Sequence, residues 1–330
     1  MASLFRSIRV TSSKFTARSF SSSAQMPITN LTARTYMATS GVAIAGTALY
    51  FAYQAYRKPI KAATTSEIAP AAGTIFNPNE FITVTLDDII DINHDSKMFV
   101  FDLPPATEGA RTGLITASAV LVKYVTAKGN AVIRPYTPVS DINDTSKFTL
   151  LVKTYPNGKM SAHIHAMKKG DTIEVKGPIV KYPWTPNKKS DVILLGAGSG
   201  ITPLAQLAKE IFEHDEDKTK VTLIYANKTP EDVLLKDLFD GYVAKKPEQF
   251  STKYVVEKDA TGDLIPGFVT KDLLQKIIPA PSTDGLMIFV CGPPGFHAAV
   301  SGSKISNTDQ GELTGALKDL GYSPEQVFKF

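Results

Sequence analysis

The stretch Val192-Ile193-Leu194-Leu195-Gly196-Ala197-Gly198-Ser199-Gly200-Ile201-Thr202-Pro203 restricts the architecture of this chain more than any other. A continuous apolar run is what a strand buried on both faces requires, and such strands belong to parallel sheets covered by helices. The run leads straight into three alternating glycines. Thr202 follows as a natural N-cap with Pro203 at the first helical position, so a helix is predicted to about Glu213. Glycines let a backbone approach a phosphate closely, and a helix start presents free N–H groups to it, so this order of elements fits a dinucleotide-phosphate site. The spacing is G-x-G-x-G, with Ile201 in the slot where the full fingerprint has its last glycine, and alone it is a weak signal.

The rest of the second half keeps the same rhythm of strands and helices, the pattern of βαβ crossovers. Val221 to Asn227 reads as a strand, followed by a helix through Pro230 to Phe239, and Tyr254 to Glu257 as another strand. An acid at a strand's carboxyl end can accept from ribose hydroxyls and repel a 2′-phosphate, which makes Glu257 the candidate selector of NADH over NADPH, with Asp259 and Asp263 as neighbours. Leu286 to Val290 is a further buried strand ending in Cys291-Gly292-Pro293-Pro294-Gly295. From its residue type alone Cys291 reads as a small core hydrophobe. Phe328 and Phe330 close the chain in a last strand.

The first half has a different period. Phe81 to Leu86 and Met98 to Leu103 alternate at period two, Gly113 to Tyr124, Phe148 to Tyr155 and Asp171 to Lys176 supply more strands, and no long helical pattern interrupts them. Among these lies Arg134-Pro135-Tyr136-Thr137-Pro138-Val139-Ser140. The two prolines cannot donate to a ladder, so they place the stretch at an edge or strand end. The result is a rigid rim suited to a flat, phosphorylated cofactor: Arg134 for a phosphate, Tyr136 for a ring, Thr137 and Ser140 for its polar edge. Downstream, Leu150-Leu151-Val152-Lys153-Thr154-Tyr155 sets a lysine in an apolar strand, where its ammonium needs an anion. A functional lysine and an outward-facing one fit that pattern equally. Gly158-Lys159-Met160-Ser161 opens a short helix, Ser161 to Met167, whose free N–H groups would bind an anion such as a diphosphate. His163 and His165 point to different helix faces and read as ordinary residues.

Composition narrows the class. A net charge of +4 without a basic, aromatic-laced stripe gives no nucleic-acid signature; one cysteine rules out an internal disulfide, and no Cys/His cluster has metal-ligand spacing. Redox chemistry, if present, needs a bound organic cofactor. From Met1 to Ser66 there is no acidic residue, while arginines are scattered among serines and threonines, the composition of a mitochondrial transit peptide. Thr35 to Tyr56 is uncharged, ends in Arg57-Lys58-Pro59 and is long enough to span a bilayer as a helix.

The four ordered stretches Arg134-x-Tyr136-Thr137-x-x-Ser140, Gly158-Lys159-Met160-Ser161, Gly196 to Pro203 and Cys291-Gly292-Pro293-Pro294 resemble the signatures of the ferredoxin-reductase-like flavoproteins. Within them the chain is similar, over about residues 75 to 330, to the NADH-cytochrome b5 reductases, and its N-terminus to their fungal mitochondrial form. The resemblance implies an α+β two-domain fold: an antiparallel β-barrel that binds FAD (75–186), then an α/β parallel-sheet domain that binds NADH (187–330). A targeting segment (1–34), a single transmembrane helix (35–57) and a linker (58–74) precede them. It implies that Thr137, Lys153, Thr202 and Cys291 surround the reacting rings. Arg134, Pro135, Tyr136, Ser140, Val152, Gly158, Lys159, Met160 and Ser161 would hold FAD. Gly198, Ser199, Glu257, Gly292, Pro293 and Phe330 would lie along the nicotinamide side.

The implied partners are NADH and cytochrome b5 or a similar haem protein, met by a monomeric soluble domain that the N-terminal helix fixes to the mitochondrial outer membrane, with a processed form in the intermembrane space. Lysines near the flavin edge would steer an acidic partner. The rivals are a reductase for another acceptor and an inactive anchored scaffold; the intact motifs argue against the scaffold. Two departures from the commoner family pattern stand out: Gly113 to Ser118 replaces a Gly-Gln-His triplet, and Gly177-Pro178 lacks the usual second glycine.

Overall fold

The computed structural model describes residues 73–106 and 110–330. The expected targeting segment, anchor and nearly all of the linker lie outside the described residues. Among the described residues no helix is long and apolar enough to cross a membrane.

Period-two alternation yields six antiparallel strands: β1 (Ile82–Asp91), β2 (Ser96–Asp102), β3 (Ser118–Val125), β4 (Ala131–Tyr136), β5 (Lys147–Lys153) and β6 (Thr172–Val180), in the order β4-β3-β6-β1-β2-β5. Their inward faces bury Phe76, Phe99, Phe101, Phe148, Leu150 and Val152 in one core, with Phe101 stacked on Phe148 at 5.3 Å. Each such side chain contributes about 1.5–3 kcal/mol by leaving water.

The expected barrel is a sheet whose outer strands β4 and β5 are not laddered to each other. Pro135 lies within β4 and Pro138 just beyond it, so that edge lacks two donors. The loop after β4 joins β5 instead, through Val139 N–H to the Thr149 carbonyl (2.9 Å) and Thr149 N–H to Ser140 Oγ (3.0 Å). Helix α1 (Lys159–Ala166), which starts two residues and ends one residue earlier than expected, packs against β4 and β5. Residues Gly113 to Ala117, expected as strand, form a loop; Gly113 takes φ +83° and Ala117 φ 57°, which an extended strand cannot hold.

The second sheet is all parallel: β7 (Asp191–Ala197), β8 (Lys220–Asn227), β9 (Phe250–Val256), β10 (Ile265–Pro266), β11 (Leu286–Cys291) and β12 (Val327–Lys329), in the order β10-β9-β8-β7-β11-β12. Helices α2 (Ile201–Glu213) and α3 (Lys236–Lys245) bury Leu204, Ile211, Phe239 and Tyr242 on one face. On the other, α4 (Lys271–Ile277), α5 (Pro294–Val300) and α6 (Gly315–Asp319) bury Leu274, Val300 and Leu317.

Two helix boundaries differ from expectation. Helix α2 starts at Ile201 with Gly200 as N-cap, and the Thr202 hydroxyl donates back to the Ser199 carbonyl (3.4 Å) from inside the first turn. The helix expected from Pro230 to Phe239 is split into a single turn, Pro230–Asp232, closed by a Thr229/Asp232 capping box, and α3 after it. Leu235 between them takes φ 57°, a left-handed conformation no α-helix continues through.

Candidate active site

In the second sheet the chain winds outward from β7 through β8 and β9, then returns to lay β11 on the other side of β7. The crevice at the carboxyl ends of β7 and β11 is therefore the topological switch point, where open α/β sheets bind ligands. Two of the motifs meet there. Gly196 is paired with Cys291 across the ladder. A Cβ on Gly200 would stand 2.3 Å from the Cys291 carbonyl oxygen and 2.7 Å from the Gly292 nitrogen, both backbone atoms. Gly200 is thus a glycine because two loops touch, although its φ of −63° is ordinary. Gly292 is equally tight, with Phe296 and Ala197 inside 3 Å of its would-be Cβ. Phe330 N–H donates to the Val290 carbonyl (2.9 Å), which brings the last residue beside Cys291, while Pro293 lies exposed at the crevice mouth.

Cys291 is half-buried, and burial pushes its thiol up to about 12, so it stays a neutral group. Thr202 is buried. Gly198 has φ +52°, and its carbonyl accepts from the Tyr225 hydroxyl (2.7 Å). Glu257 stands exposed past the end of β9, two strands along from β7, with its N–H on the Asn227 carbonyl (3.1 Å). Asn227, at the end of β8 between them, is a residue the sequence reading missed. Both polar atoms of its amide are buried with no hydrogen-bond partner among the described residues, so they could bond a polar ligand. This end of the sheet fits a dinucleotide.

The first-domain residues gather along the β4 edge. Arg134 is exposed and has no acid partner among the described residues; its guanidinium donates to the Ile133 carbonyl (2.7 Å). Pro135 pairs with Leu121 in the ladder. Tyr136 is half-buried, which pushes its phenol up to about 12, and Thr137 is half-buried beside it. Ser140 Oγ, expected to face the cofactor, accepts the Thr149 N–H and serves the loop, leaving only its own O–H to donate.

Helix α1 has no side-chain cap at Gly158, and Ser161 Oγ donates to the Gly158 carbonyl (3.1 Å). A Cβ on Gly158 would meet that Oγ at 2.4 Å. Lys159 is exposed, Met160 and Val152 are buried. The Lys159 carbonyl accepts from the Tyr124 hydroxyl (3.3 Å), which fixes the helix start to the β3–β4 side of the sheet that carries Arg134. An unpaired guanidinium and an uncapped helix start on one edge fit the diphosphate of FAD. His163 stacks on Tyr124 and burial lowers its pKa, while His165 bonds the Val152 carbonyl at 2.9 Å, so both are ordinary packed residues.

Of the two readings its strand left open, Lys153 does not face outward: its side chain is 11% exposed. Its ammonium lies 2.6 Å from Asp95 Oδ2 and 2.9 Å from Asp232 Oδ1, the latter from the second domain. Burial works against the charge, but the bonds to the two carboxylates outweigh it and hold Lys153 above the usual lysine value. Asp232 is held below the usual carboxylate range, with burial opposed by Lys153. Two residues on, the Tyr155 hydroxyl reaches Ser199 Oγ (2.6 Å) across the cleft. From behind, Gln206 of α2 accepts the Ser118 N–H (3.1 Å) and donates to the Pro138 carbonyl (3.4 Å). Thr116 donates to Glu210 (2.5 Å), so the loop that departs from the family triplet is an interdomain contact. The sequence held no signal for Asp95, Asp232 or Gln206, because their partners are distant in the chain.

An antiparallel domain with an anion-ready edge, joined to a parallel domain with a dinucleotide crevice, defines a two-domain FAD/NAD oxidoreductase. Residues 83–184 match the oxidoreductase FAD-binding domain and residues 194–302 the oxidoreductase NAD-binding domain. NADH-cytochrome b5 reductase 2 of Yarrowia lipolytica is 46% identical over 89% of this chain and 97% of its own length; the protein of the same name from Candida albicans is 50% identical over 80% and 87%. Among solved structures, the cytochrome b5 reductase domain of Ulva prolifera nitrate reductase is 26% identical, covers 78% of this chain and 99% of its own, and has a TM-score of 0.67. The chain belongs to the NADH-cytochrome b5 reductase family.

Proposed function

We propose that this chain is an FAD-dependent NADH reductase that passes electrons one at a time to cytochrome b5 or a similar haem protein. The observation that carries the reading is the meeting of the glycine loop with Cys291 at the switch point, facing a first domain whose Arg134 and uncapped α1 start await an anion. Bound FAD would supply the chemistry, accepting a hydride from NADH and releasing its electrons singly.

The protein's part is orientation. Arg134 and the Gly158-Lys159-Met160-Ser161 helix start would hold the diphosphate. Tyr136, Thr137 and Val152 would flank the ring. Thr202, Ser199 and Gly198 would present the glycine loop, Cys291, Gly292 and Pro293 would shape the nicotinamide pocket, and Phe330 would close it. Lys153 would sit beside the reacting rings, and Glu257 would favour NADH by accepting from a ribose hydroxyl and repelling a 2′-phosphate.

We further infer import into mitochondria, anchoring of residues 35–57 in the outer membrane and a processed intermembrane-space form, supported by the acid-free, arginine- and serine-rich start and the uncharged run ended by Arg57-Lys58. The test is reduction of purified cytochrome b5 by NADH over a range of salt. The expected result is catalytic haem reduction that weakens as salt rises, because charge complementarity steers the encounter. No haem reduction at any salt, with the flavin fully reducible, would reassign the acceptor.

A further inference from the structure

The turn between β1 and β2 touches neither nucleotide motif, yet it reaches the second domain. Asn93 Nδ2 donates to the Glu231 carbonyl at 2.8 Å, and the next acid, Asp95, takes the Lys153 ammonium at 2.6 Å while that ammonium also meets Asp232 at 2.9 Å. Asp95 is immobilised from several sides. Its second carboxylate oxygen accepts from the hydroxyl of fully buried Ser96 (2.8 Å), its N–H donates to Asn93 Oδ1 (3.1 Å), and its carbonyl accepts from Thr154 N–H (2.7 Å). Asp232 is fixed in turn by the Thr229 N–H and hydroxyl, both 3.2 Å from Oδ2.

His94 stands 3.5 Å from Asp95 and 3.9 Å from Asp232 but is mostly exposed. The side chains of Lys153 and Asp232 are 11% and 5% exposed, so this contact is not a solvent-screened surface pair. The ammonium already pairs with both carboxylates, bonding them at 2.6 and 2.9 Å.

We propose that Asp95 is a positioning residue: by holding Lys153 against Asp232, the Asn93–Asp95 turn sets the separation of the two domains and hence of the rings they carry. This rests on the proposed placement of Lys153 beside those rings. Thr154 and Tyr155 follow Lys153 directly, and Tyr155 makes the crossing to Ser199, so a shift of Lys153 moves both bridges over the cleft. A displacement on the order of 1 Å between reacting groups can cost up to roughly a hundredfold in rate.

The experiment uses the full chain loaded with FAD. Asp95→Asn is expected to slow flavin bleaching at saturating NADH by roughly tenfold, with FAD content and melting temperature as in the unaltered protein, and to speed amide exchange over residues 153–155 and 229–233. Asp95→Glu, which keeps a carboxylate, recovers most of the rate, and Asn93→Ala gives a smaller loss in the same direction. An unchanged rate and exchange pattern in Asp95→Asn would overturn the proposal. So would a loss that tracks missing FAD or a lowered melting temperature and is not recovered by Asp95→Glu. Failure of the reductase reading shows separately, as an unaltered protein that NADH does not bleach; the exchange pattern then still decides whether Asp95 ties the domains.

Discussion

Arg134 is an exposed cation on an edge strand whose guanidinium, among the described residues, bonds its neighbour's carbonyl, an arrangement that costs little to open and leaves the rest of the fork available. A charge-assisted contact of this kind contributes about 1.5–3 kcal/mol, so Arg134→Ala is expected to weaken FAD retention roughly ten- to a hundredfold, read from flavin released on dilution. Fold stability should barely change, since among the described residues the guanidinium's hydrogen bond is to the carbonyl of its exposed neighbour Ile133.

Cys291 makes the opposite kind of prediction. Burial raises its thiol from 9.0 to about 12, so the folded protein keeps a proton that the unfolded chain gives up above about 9. Its contribution to stability is whole below 9 and is lost as pH rises toward 12. As the chain's one cysteine it gives an unambiguous readout: alkylation of the native protein at pH 8 should run at least roughly tenfold slower than after denaturation. Equal rates would mean an exposed thiolate. Both residues stand out in the sequence because each sits in a local motif. The surroundings of Lys153 are illegible in the sequence for a physical reason: one of the two acids that pair with it lies 79 residues away.

At the scale of elements, the close approach of the glycine loop to the β11 end sets a test that separates sterics from backbone freedom. Gly200→Ala would drive a Cβ into the Cys291 backbone at 2.3 Å, where no flexible side chain can yield. Overpacking of that kind is expected to cost about 3 kcal/mol or more, visible as a large drop in melting temperature. Gly198→Ala meets nothing nearer than the Tyr155 hydroxyl at 3.9 Å and pays only for its φ of +52°, about 1–2 kcal/mol. Similar losses from the two would contradict the packing described.

The strand–glycine–helix unit was legible because its signals are local. The exact helix start was not, since the 3.6-residue pattern cannot tell Gly200 from Thr202 as the cap when the glycine's place is set by a strand over ninety residues on. The same holds for the split at Leu235, where a left-handed residue interrupts a pattern that reads as one helix.

On the scale of the whole molecule, the two periodicities divided the chain correctly into an antiparallel and a parallel half, because each sheet imposes its own burial rule. The way the halves meet was not legible. Gln206, Asp95 and Asp232 are polar residues without a motif, and their meaning comes only from partners that the fold brings near. The central claim, that this two-domain frame holds FAD and receives electrons from NADH, is tested most directly by the absorbance spectrum of the purified protein during anaerobic titration with NADH and then NADPH. The expected result is a flavin spectrum that NADH bleaches and NADPH scarcely alters. A colourless protein that takes up no added FAD, or a bound flavin that neither nucleotide reduces, would contradict it.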